Sequence, residues 1–383
     1  MKAIRLILAA CLFSLASIQP SLAETGVTDT TITLGMSVPL TGPASGHGQE
    51  LKNVITAYFD QVNKNGGING RKLQLTVMDD GYEAEKAVAN SKTLIETNKV
   101  FALLGYYGSV SITESMTKVF GPAHVPLIGG ISGAMSLRLP PAGNPHNRYM
   151  FSQRASYADE AEAIGTQLAT LGLKNIAVFY QNDGFGKAGL EGLNTALKKH
   201  NLTPSATGTV ERNSEDIGKA VEAIAKVNPQ AVVMVTLYKP AAAMVKALRK
   251  ANQNPMFMTL SPVGAEVLAQ ELGNDARGIG ISQVVPYPWN DTIGIVRDYQ
   301  RLLDKQKDKF SYYGLEGYIT ARLVTEAVKK AGKDLTREKL VTTLEGMQNL
   351  DLGGFKVSYG ANSRLGSRYV ELTVVGAGGK VIK

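Results

Sequence analysis

Short strand-like segments alternate with helix-like segments along almost the whole chain, and this alternation limits the fold more than any other feature. The segment ITLGMSV at residues 32–38 has the apolar and β-branched composition of a buried strand. After a glycine-rich loop, one helix face is indicated by the spacing of Val54, Ile55, Tyr58, Phe59 and Val62. Strands that alternate with helices form parallel sheets with helices on both faces, so the pattern predicts an α/β fold. Further strand-like segments lie at residues 73–80, 100–105, 125–130, 175–180, 231–237 and 257–260.

The length of the chain indicates two lobes. It has 383 residues, which is too long for one hydrophobic core. The alternation runs to about Met150 and then starts again, so we predict two doubly wound lobes. In open sheets of this type, ligands bind beyond the carboxyl ends of the strands. The loops that follow the strands are rich in Gly, Ser, Tyr and amide side chains, which suits a small polar ligand.

The first 23 residues have the pattern of a cleavable signal peptide. Lys2 and Arg5 precede an apolar run that is too short to span a bilayer. Small residues at Ser21 and Ala23 predict cleavage after Ala23 and export of the mature chain. A lipoprotein cleavage box at residues 8–11 (LAAC) is the alternative. It would leave only about five apolar residues before the cut, fewer than the usual ~7 to 15.

Cysteine, charge and histidine usage exclude several functional classes. Cys11 is the only cysteine and lies in the predicted signal peptide, so disulfides and zinc–cysteine sites are not expected. Without Lys2 and Arg5, 39 of the 41 basic residues remain against 33 acidic residues, a net charge of +6. These charges form no basic stripe interleaved with aromatic residues, so a nucleic acid partner is not expected. The four histidines lack paired ligand spacing, and we expect no metal and no cofactor.

Two motifs resemble nucleotide-binding or catalytic patterns. Residues 184–189 (GFGKAG) match G-x-G-x-x-G after a predicted strand, which leaves a nicotinamide-dependent oxidoreductase as an alternative. However, Asp183 beside the first glycine would repel a phosphate. Asp79 and Asp80 end another strand, where neighbouring side chains point to opposite faces. We therefore expect one of them to cap the following helix, with Tyr82 at the edge of the cleft.

Six segments carry a further signal in their order along the chain: PLTGPASGHGQE, NKNGGINGRKLQLTVMDD, LLGYYGSVS, VPLIGGISG, IAVFYQNDGFGKAGLEGL and NPQAVVMVTLYKPAAAMVKALRKA. Together they resemble the leucine/isoleucine/valine-type periplasmic binding proteins of bacterial ABC importers. The resemblance implies two Rossmann-like lobes joined by a hinge of three crossings that closes on a solute. One lobe would comprise residues 28–150 and 287–347, and the other residues 151–286 and 348–383. The implied crossings are FSQRAS, SQVVPYP and DLGGFKVSY.

The resemblance also implies a function. The protein would be a monomeric, non-enzymatic solute-binding component of an importer, with an inner-membrane permease as its partner. The ligand would be a small carboxylate or an amino acid. A sensor that uses the same fold is the alternative.

Family binding residues can be transferred to several positions. Ser109 would bind the ligand carboxylate, and the loop–helix junction there offers free N–H groups to an anion. Ser132 and Gly133 match a loop that binds ligand through backbone and hydroxyl groups. Four further candidates would surround the ligand with rings: His47, Tyr107, Phe185 and Tyr238.

One position departs from the family pattern. Amino-acid binders of this family place a carboxylate after the FM strand to bind the ligand ammonium, but this chain has Ser261 there. A buried ammonium without a carboxylate is costly, so either Asp183 or Asp159 replaces the acid or the ligand has no ammonium. Arg154 and Tyr157 at the first crossing are further pocket candidates, although an arginine there could instead tie the hinge together.

Overall fold

The computed structural model describes residues 24–304, 306 and 309–383, so the predicted signal peptide lies outside the described residues. The first lobe contains a five-stranded parallel sheet. Its strands are β1 (Thr31–Val38), β2 (Lys72–Asp79), β3 (Ala102–Leu104), β4 (Leu127–Ile128) and β5 (Met150–Phe151). Their spatial order is β2-β1-β3-β4-β5. Strand β2 therefore lies on one side of β1, and β3 to β5 follow on its other side.

The second lobe contains a seven-stranded sheet. Its parallel strands are β6 (Ile176–Gln181), β7 (Ala206–Val210), β8 (Ala231–Val235), β9 (Met256–Thr259) and β10 (Gly280–Gln283). A separate hairpin then pairs β11 (Leu350–Asp351) with β12 (Lys356–Val357). Two antiparallel strands complete the second sheet, β13 (Glu371–Val375) and β14 (Val381–Ile382). The spatial order is β14-β13-β10-β9-β8-β6-β7.

Helices cover the faces of both sheets. They are α1 (Ser45–Lys64), α2 (Ala84–Lys92), α3 (Ser109–Ser115), α4 (Tyr157–Thr170), α5 (Gly184–Lys199), α6 (Gly218–Ala225), α7 (Tyr238–Lys250), α8 (Ala265–Leu272), α9 (Gly294–Leu302), α10 (Tyr312–Ala331) and α11 (Arg337–Glu345). Helices α4 to α8 belong to the second lobe, and α9 to α11 return to the first. Among the described residues, no helix combines the length and apolar character needed to cross a membrane.

The two acids at the end of β2 bind β1 and the loop after it and do not cap a helix. Asp79 Oδ1 accepts a hydrogen bond from the Leu40 amide at 2.7 Å, and Asp80 accepts from the Ser37 hydroxyl at 2.8 Å. The N-cap of α2 is Glu83, which makes no side-chain capping bond, so the prediction that Asp79 or Asp80 caps this helix is wrong. The reason is the parallel register of β1 and β2, which brings the loops after both strands together.

The lobes are connected near the carboxyl ends of β5 and β10. Residues 152–156 lead from β5 to α4, and residues 284–293 lead from β10 to α9. The third connection between the lobes lies at a different position from the predicted DLGGFKVSY segment. That segment forms the β11–β12 hairpin, which is bonded to the first lobe where the Ile295 amide donates to the Gly353 carbonyl at 2.7 Å. The chain therefore reaches the second sheet only after the hairpin, through residues 358–370.

Candidate functional site

A small cavity lies where the carboxyl ends of the two sheets face each other. Its volume is about 10 Å³, and its lining residues follow strands of both lobes. This space holds about one water molecule, so a larger ligand must separate the lobes or displace side chains. The lining residues are Tyr82, Tyr107, Gly108, Ser109, Ile131, Tyr157, Phe185, Leu237 and Pro262.

Three hydroxyl groups converge beside this cavity. The Ser109 hydroxyl lies 2.8 Å from the Ser132 hydroxyl and 3.3 Å from that of Tyr157. Ser109 is the first residue of α3, and Gly108 before it has a φ of 97°, which favours glycine. Burial raises the pKa of Tyr157, so its phenol stays protonated and can donate a hydrogen bond. The cluster therefore offers donors from both lobes to one acceptor.

Gly133 lets the two lobes approach each other at this cluster. The Tyr157 amide donates to the Gly133 carbonyl oxygen at 2.8 Å. A Cβ atom on Gly133 would lie 2.2 Å from Cδ1 of the Tyr157 ring, so a side chain here conflicts with the closed arrangement. Tyr157 itself begins α4, which Ser156 and Asp159 stabilise through a reciprocal capping box. Oδ2 of Asp159 is occupied by this cap, and Asp159 lines a larger neighbouring cavity of about 630 Å³ beside Gly133 and Tyr157 rather than the small cavity.

Aromatic rings form much of the cavity wall. The ring centroids of Tyr157 and Phe185 are 5.1 Å apart, and those of Tyr82 and Tyr107 are 5.6 Å apart. Such spacing is typical of packed aromatic side chains. The cavity wall is consequently mostly apolar, with phenol hydroxyls at its edges.

His47 and Tyr238 lie behind this wall, outside the residues that line the cavity. His47 stacks on Tyr313 with a centroid separation of 4.3 Å and meets the edge of Tyr238 at 5.7 Å. The Tyr107 hydroxyl lies 3.1 Å from His47 Nδ1. Burial lowers the pKa of His47 to about 3, so the imidazole is neutral at physiological pH. His47 therefore supports Tyr107 rather than providing a charge to the cleft.

Arg154 and Ser261 meet in the hinge. Arg154 Nη2 donates to the Ser261 hydroxyl oxygen, and the guanidinium lies 3.7 Å from Glu160 and 3.6 Å from Glu316. Burial opposes the charge of Arg154, but Glu316 and Glu160 hold its pKa above the usual value. Glu160 also accepts a hydrogen bond from the Ser261 amide at 2.8 Å. Ser261, the position at which an ammonium-binding acid would be expected, thus faces Arg154. The two carboxylates near this arginine are already paired with it.

Asp183 is also engaged by other groups. Its Oδ1 accepts from the amides of Phe185 and Gly186, and this caps α5. Its Oδ2 accepts from Gln181 at 2.6 Å and from Arg212 at 2.9 Å. The carboxylate therefore occupies the place that a phosphate would take in a dinucleotide motif, which argues against nicotinamide binding. The part of the chain that the structure describes contains no group of three or more His, Cys, Asp or Glu residues that could hold a metal ion.

Several cavity residues were not predicted as ligand contacts from the sequence. They are Tyr82, Gly108, Ile131, Leu237 and Pro262. Each follows a strand of one of the two sheets. The available signal was therefore the rule that ligands of open sheets bind beyond the carboxyl ends of the strands. The predicted residues Ser109, Tyr107, Tyr157 and Phe185 do line the cavity, and Ser132 and Gly133 contact these residues directly.

Comparison with known proteins assigns this architecture. A family model described as periplasmic binding protein matches residues 31–380. The chain belongs to this family. The resemblance noted in the sequence and the predicted class of two doubly wound α/β lobes are thereby confirmed.

Several known proteins are similar to this chain. A substrate-binding periplasmic protein from Ralstonia solanacearum superposes with a TM-score of 0.85 at 31% identity, covering 92% of this chain and 99% of that one. A possible leucine/isoleucine/valine-binding protein from Rhodopirellula baltica gives 0.84 at 29% identity, covering 92% and 96%. An amino acid binding protein from Pseudomonas aeruginosa is 24% identical over 63% of this chain, and the aligned part spans 63% of that relative.

Proposed function

We propose that this protein is the periplasmic solute-binding component of an ABC importer and captures a small carboxylate or an amino acid between two closing lobes. The observation that carries this proposal is the hydroxyl cluster of Ser109, Ser132 and Tyr157. It combines groups from both lobes beside a cavity at the carboxyl ends of both sheets. A binding role without chemistry of its own agrees with the family, whose members named above are binding proteins.

The ligand carboxylate is assigned to the hydroxyl cluster. Ser109 and Tyr157 are first residues of α3 and α4, and helix N-termini favour negative charge. A carboxylate that accepts hydrogen bonds from both side chains contacts both lobes and stabilises the closed state by its differential contacts. The rings of Tyr107 and Phe185 enclose the apolar part of the ligand.

The pairing of the nearby acidic groups favours a ligand without an ammonium group. Ser261 faces Arg154, and Asp183 is paired with Arg212. Neither position offers a free carboxylate to a cationic ligand group. The names of several relatives refer to amino acids, so both ligand classes enter the test.

Location and partners follow from the same role. The predicted leader directs the chain to the periplasm, where a monomeric binding protein delivers its solute to an inner-membrane permease. Intact-mass measurement of the exported protein tests the cleavage site: a mature chain that begins at Glu24 supports it, whereas a lipid-modified Cys11 contradicts it.

A thermal-shift screen tests the proposed function. Purified mature protein is mixed with amino acids, aromatic acids and aliphatic carboxylates, because a ligand that binds only the folded state raises the melting temperature by mass action. Calorimetry then measures the affinity of each hit. A screen in which no small carboxylate or amino acid raises the melting temperature argues against the proposal.

A further inference from the structure

Arg212, in the loop after β7, connects the two lobes at one edge of the cleft. Its Nε donates to the Tyr82 carbonyl oxygen at 2.7 Å, and its Nη2 donates to the Ser111 hydroxyl oxygen at 3.0 Å. Both acceptors belong to the first lobe. Its Nη1 donates to Asp183 Oδ2 at 2.9 Å within the second lobe. The guanidinium therefore uses three donors on three acceptors, two of which lie across the interface.

The same guanidinium also packs on a ring of the cavity wall. Arg212 Cζ lies 3.7 Å from the centroid of the Tyr82 ring, a close cation–π contact. The Tyr82 hydroxyl accepts a hydrogen bond from Gln181 of the second lobe at 3.2 Å. Only 15% of the Arg212 side chain is exposed, so solvent screens these contacts less than those of a surface ion pair. Tyr82 is thus held by two residues of the opposite lobe.

We propose that Arg212 is a positioning residue that holds the lobes closed and fixes the Tyr82 ring as a wall of the solute cavity. The proposal rests on the solute-binding function above. Asp183 is fixed by its capping bonds to α5, so its ion pair keeps Arg212 directed at the first lobe. The contacts with Tyr82 and Ser111 form only when the lobes meet. They accordingly stabilise the closed state relative to the open state.

Arginine is specifically suited to this position. Its planar guanidinium presents donors in several directions and can stack on a ring at the same time. A lysine would retain the charge but could not bond all three acceptors while stacking on Tyr82. Replacement by lysine therefore separates the effect of charge from the effect of geometry.

The closed fraction of the protein tests the proposal without any ligand. Spin labels are attached through Lys86→Cys and Glu215→Cys, exposed positions on the two sides of the Arg212 contact. The mature chain that begins at Glu24 contains no other cysteine. Pulsed electron–electron double resonance then gives the distances between the two labels. The ratio of short to long distances is compared in the wild type, Arg212→Ala and Arg212→Lys. Arg249→Ala is the matched control, because Arg249 pairs with Asp275 inside the second lobe.

The expected result is a short-to-long ratio at least fivefold lower in Arg212→Ala than in the wild type and unchanged in Arg249→Ala. Arg212→Lys should give a ratio between these two. A smaller decrease in Arg212→Ala, a wild-type ratio in Arg212→Lys, or a wild type without the short distance would overturn the proposal. Circular dichroism verifies that each variant is folded. The proposed solute-binding function is tested separately by the thermal-shift screen. It fails if no carboxylate or amino acid in that screen raises the melting temperature.

Discussion

The hydroxyl oxygen of Tyr157 lies 3.3 Å from that of Ser109, and this contact joins the two lobes beside the cavity. Each residue begins a helix, Ser109 in the first lobe and Tyr157 in the second. A ligand oxygen that replaces this direct contact can accept from both groups, so closure and ligand binding use the same atoms. The pair is therefore the most informative place to alter the protein.

Replacement of Ser109 by alanine is expected to weaken binding of the tightest acid found in the screen. Loss of one hydrogen bond to a charged group corresponds to about 1 to 3 kcal/mol. Calorimetry measures the affinity, and thermal unfolding without ligand should change little. Ser205→Ala is the control, because Ser205 donates to the Ile176 carbonyl at the opposite end of the second sheet. Reduced stability with unchanged affinity would assign Ser109 a purely structural role.

Replacement of Gly133 by alanine is expected to oppose closure. The added Cβ would lie 2.2 Å from the Tyr157 ring, and such overpacking typically costs about 1 to 3 kcal/mol. The conflict exists only where the lobes meet, so each lobe should remain folded while the affinity falls. Small-angle scattering should show a larger radius of gyration. In the control Gly143→Ala, the new Cβ has its nearest neighbour at 3.5 Å and should change neither property.

The sequence was sufficient to predict two doubly wound lobes, seven of the strands and the loops at which the cavity forms. Strands β1, β2, β6 and β8 carry a local apolar pattern, and the carboxyl-end rule depends only on strand direction. Ser109, Tyr107 and Phe185 follow such strands, and the family resemblance singled them out as binding candidates. No comparable local pattern marked Arg212.

The contacts that the sequence did not predict join distant segments of the chain. Arg212 contacts Tyr82, 130 positions away along the chain, and Arg154 contacts Ser261, 107 positions away. Asp79 and Asp80 bind the loop after β1 and the neighbouring strand rather than the next helix, because parallel pairing brings those segments together. Such partners are set by how sheets and lobes pack, which local periodicity does not encode.

His47 should make stability depend on pH in acid. Burial lowers its folded-state pKa to about 3, below the ordinary value of 6.5, so the unfolded chain binds this proton more readily. The free energy of unfolding should therefore fall as pH decreases from about 6.5 toward 3, by up to about 1.4 kcal/mol per pH unit. Urea unfolding of the wild type and of His47→Phe is measured at pH 4 to 7. The difference between their free energies of unfolding isolates the contribution of His47.

In that comparison, His47→Phe keeps an aromatic ring against Tyr313 but cannot be protonated. The difference in unfolding free energy should shift in favour of the variant as pH falls, whatever its offset at pH 7. His200→Gln is the control, because His200 is exposed after the last turn of α5. A difference that stays constant between pH 4 and 7 would mean that His47 does not titrate as its burial implies.

An ammonium group on the ligand is expected not to strengthen binding. Ser261 faces Arg154 and Asp183 is held by Arg212, so we expect leucine, isoleucine and valine to bind poorly. Calorimetry should show 3-phenylpropanoate binding at least as tightly as L-phenylalanine, and 4-methylpentanoate at least as tightly as L-leucine. If an amino acid instead binds tenfold more tightly than its deaminated analogue, about 1.4 kcal/mol, an acid in the cleft binds the ammonium. Asp183→Asn would then abolish that preference if Asp183 is the acid, and leave it intact if another carboxylate is.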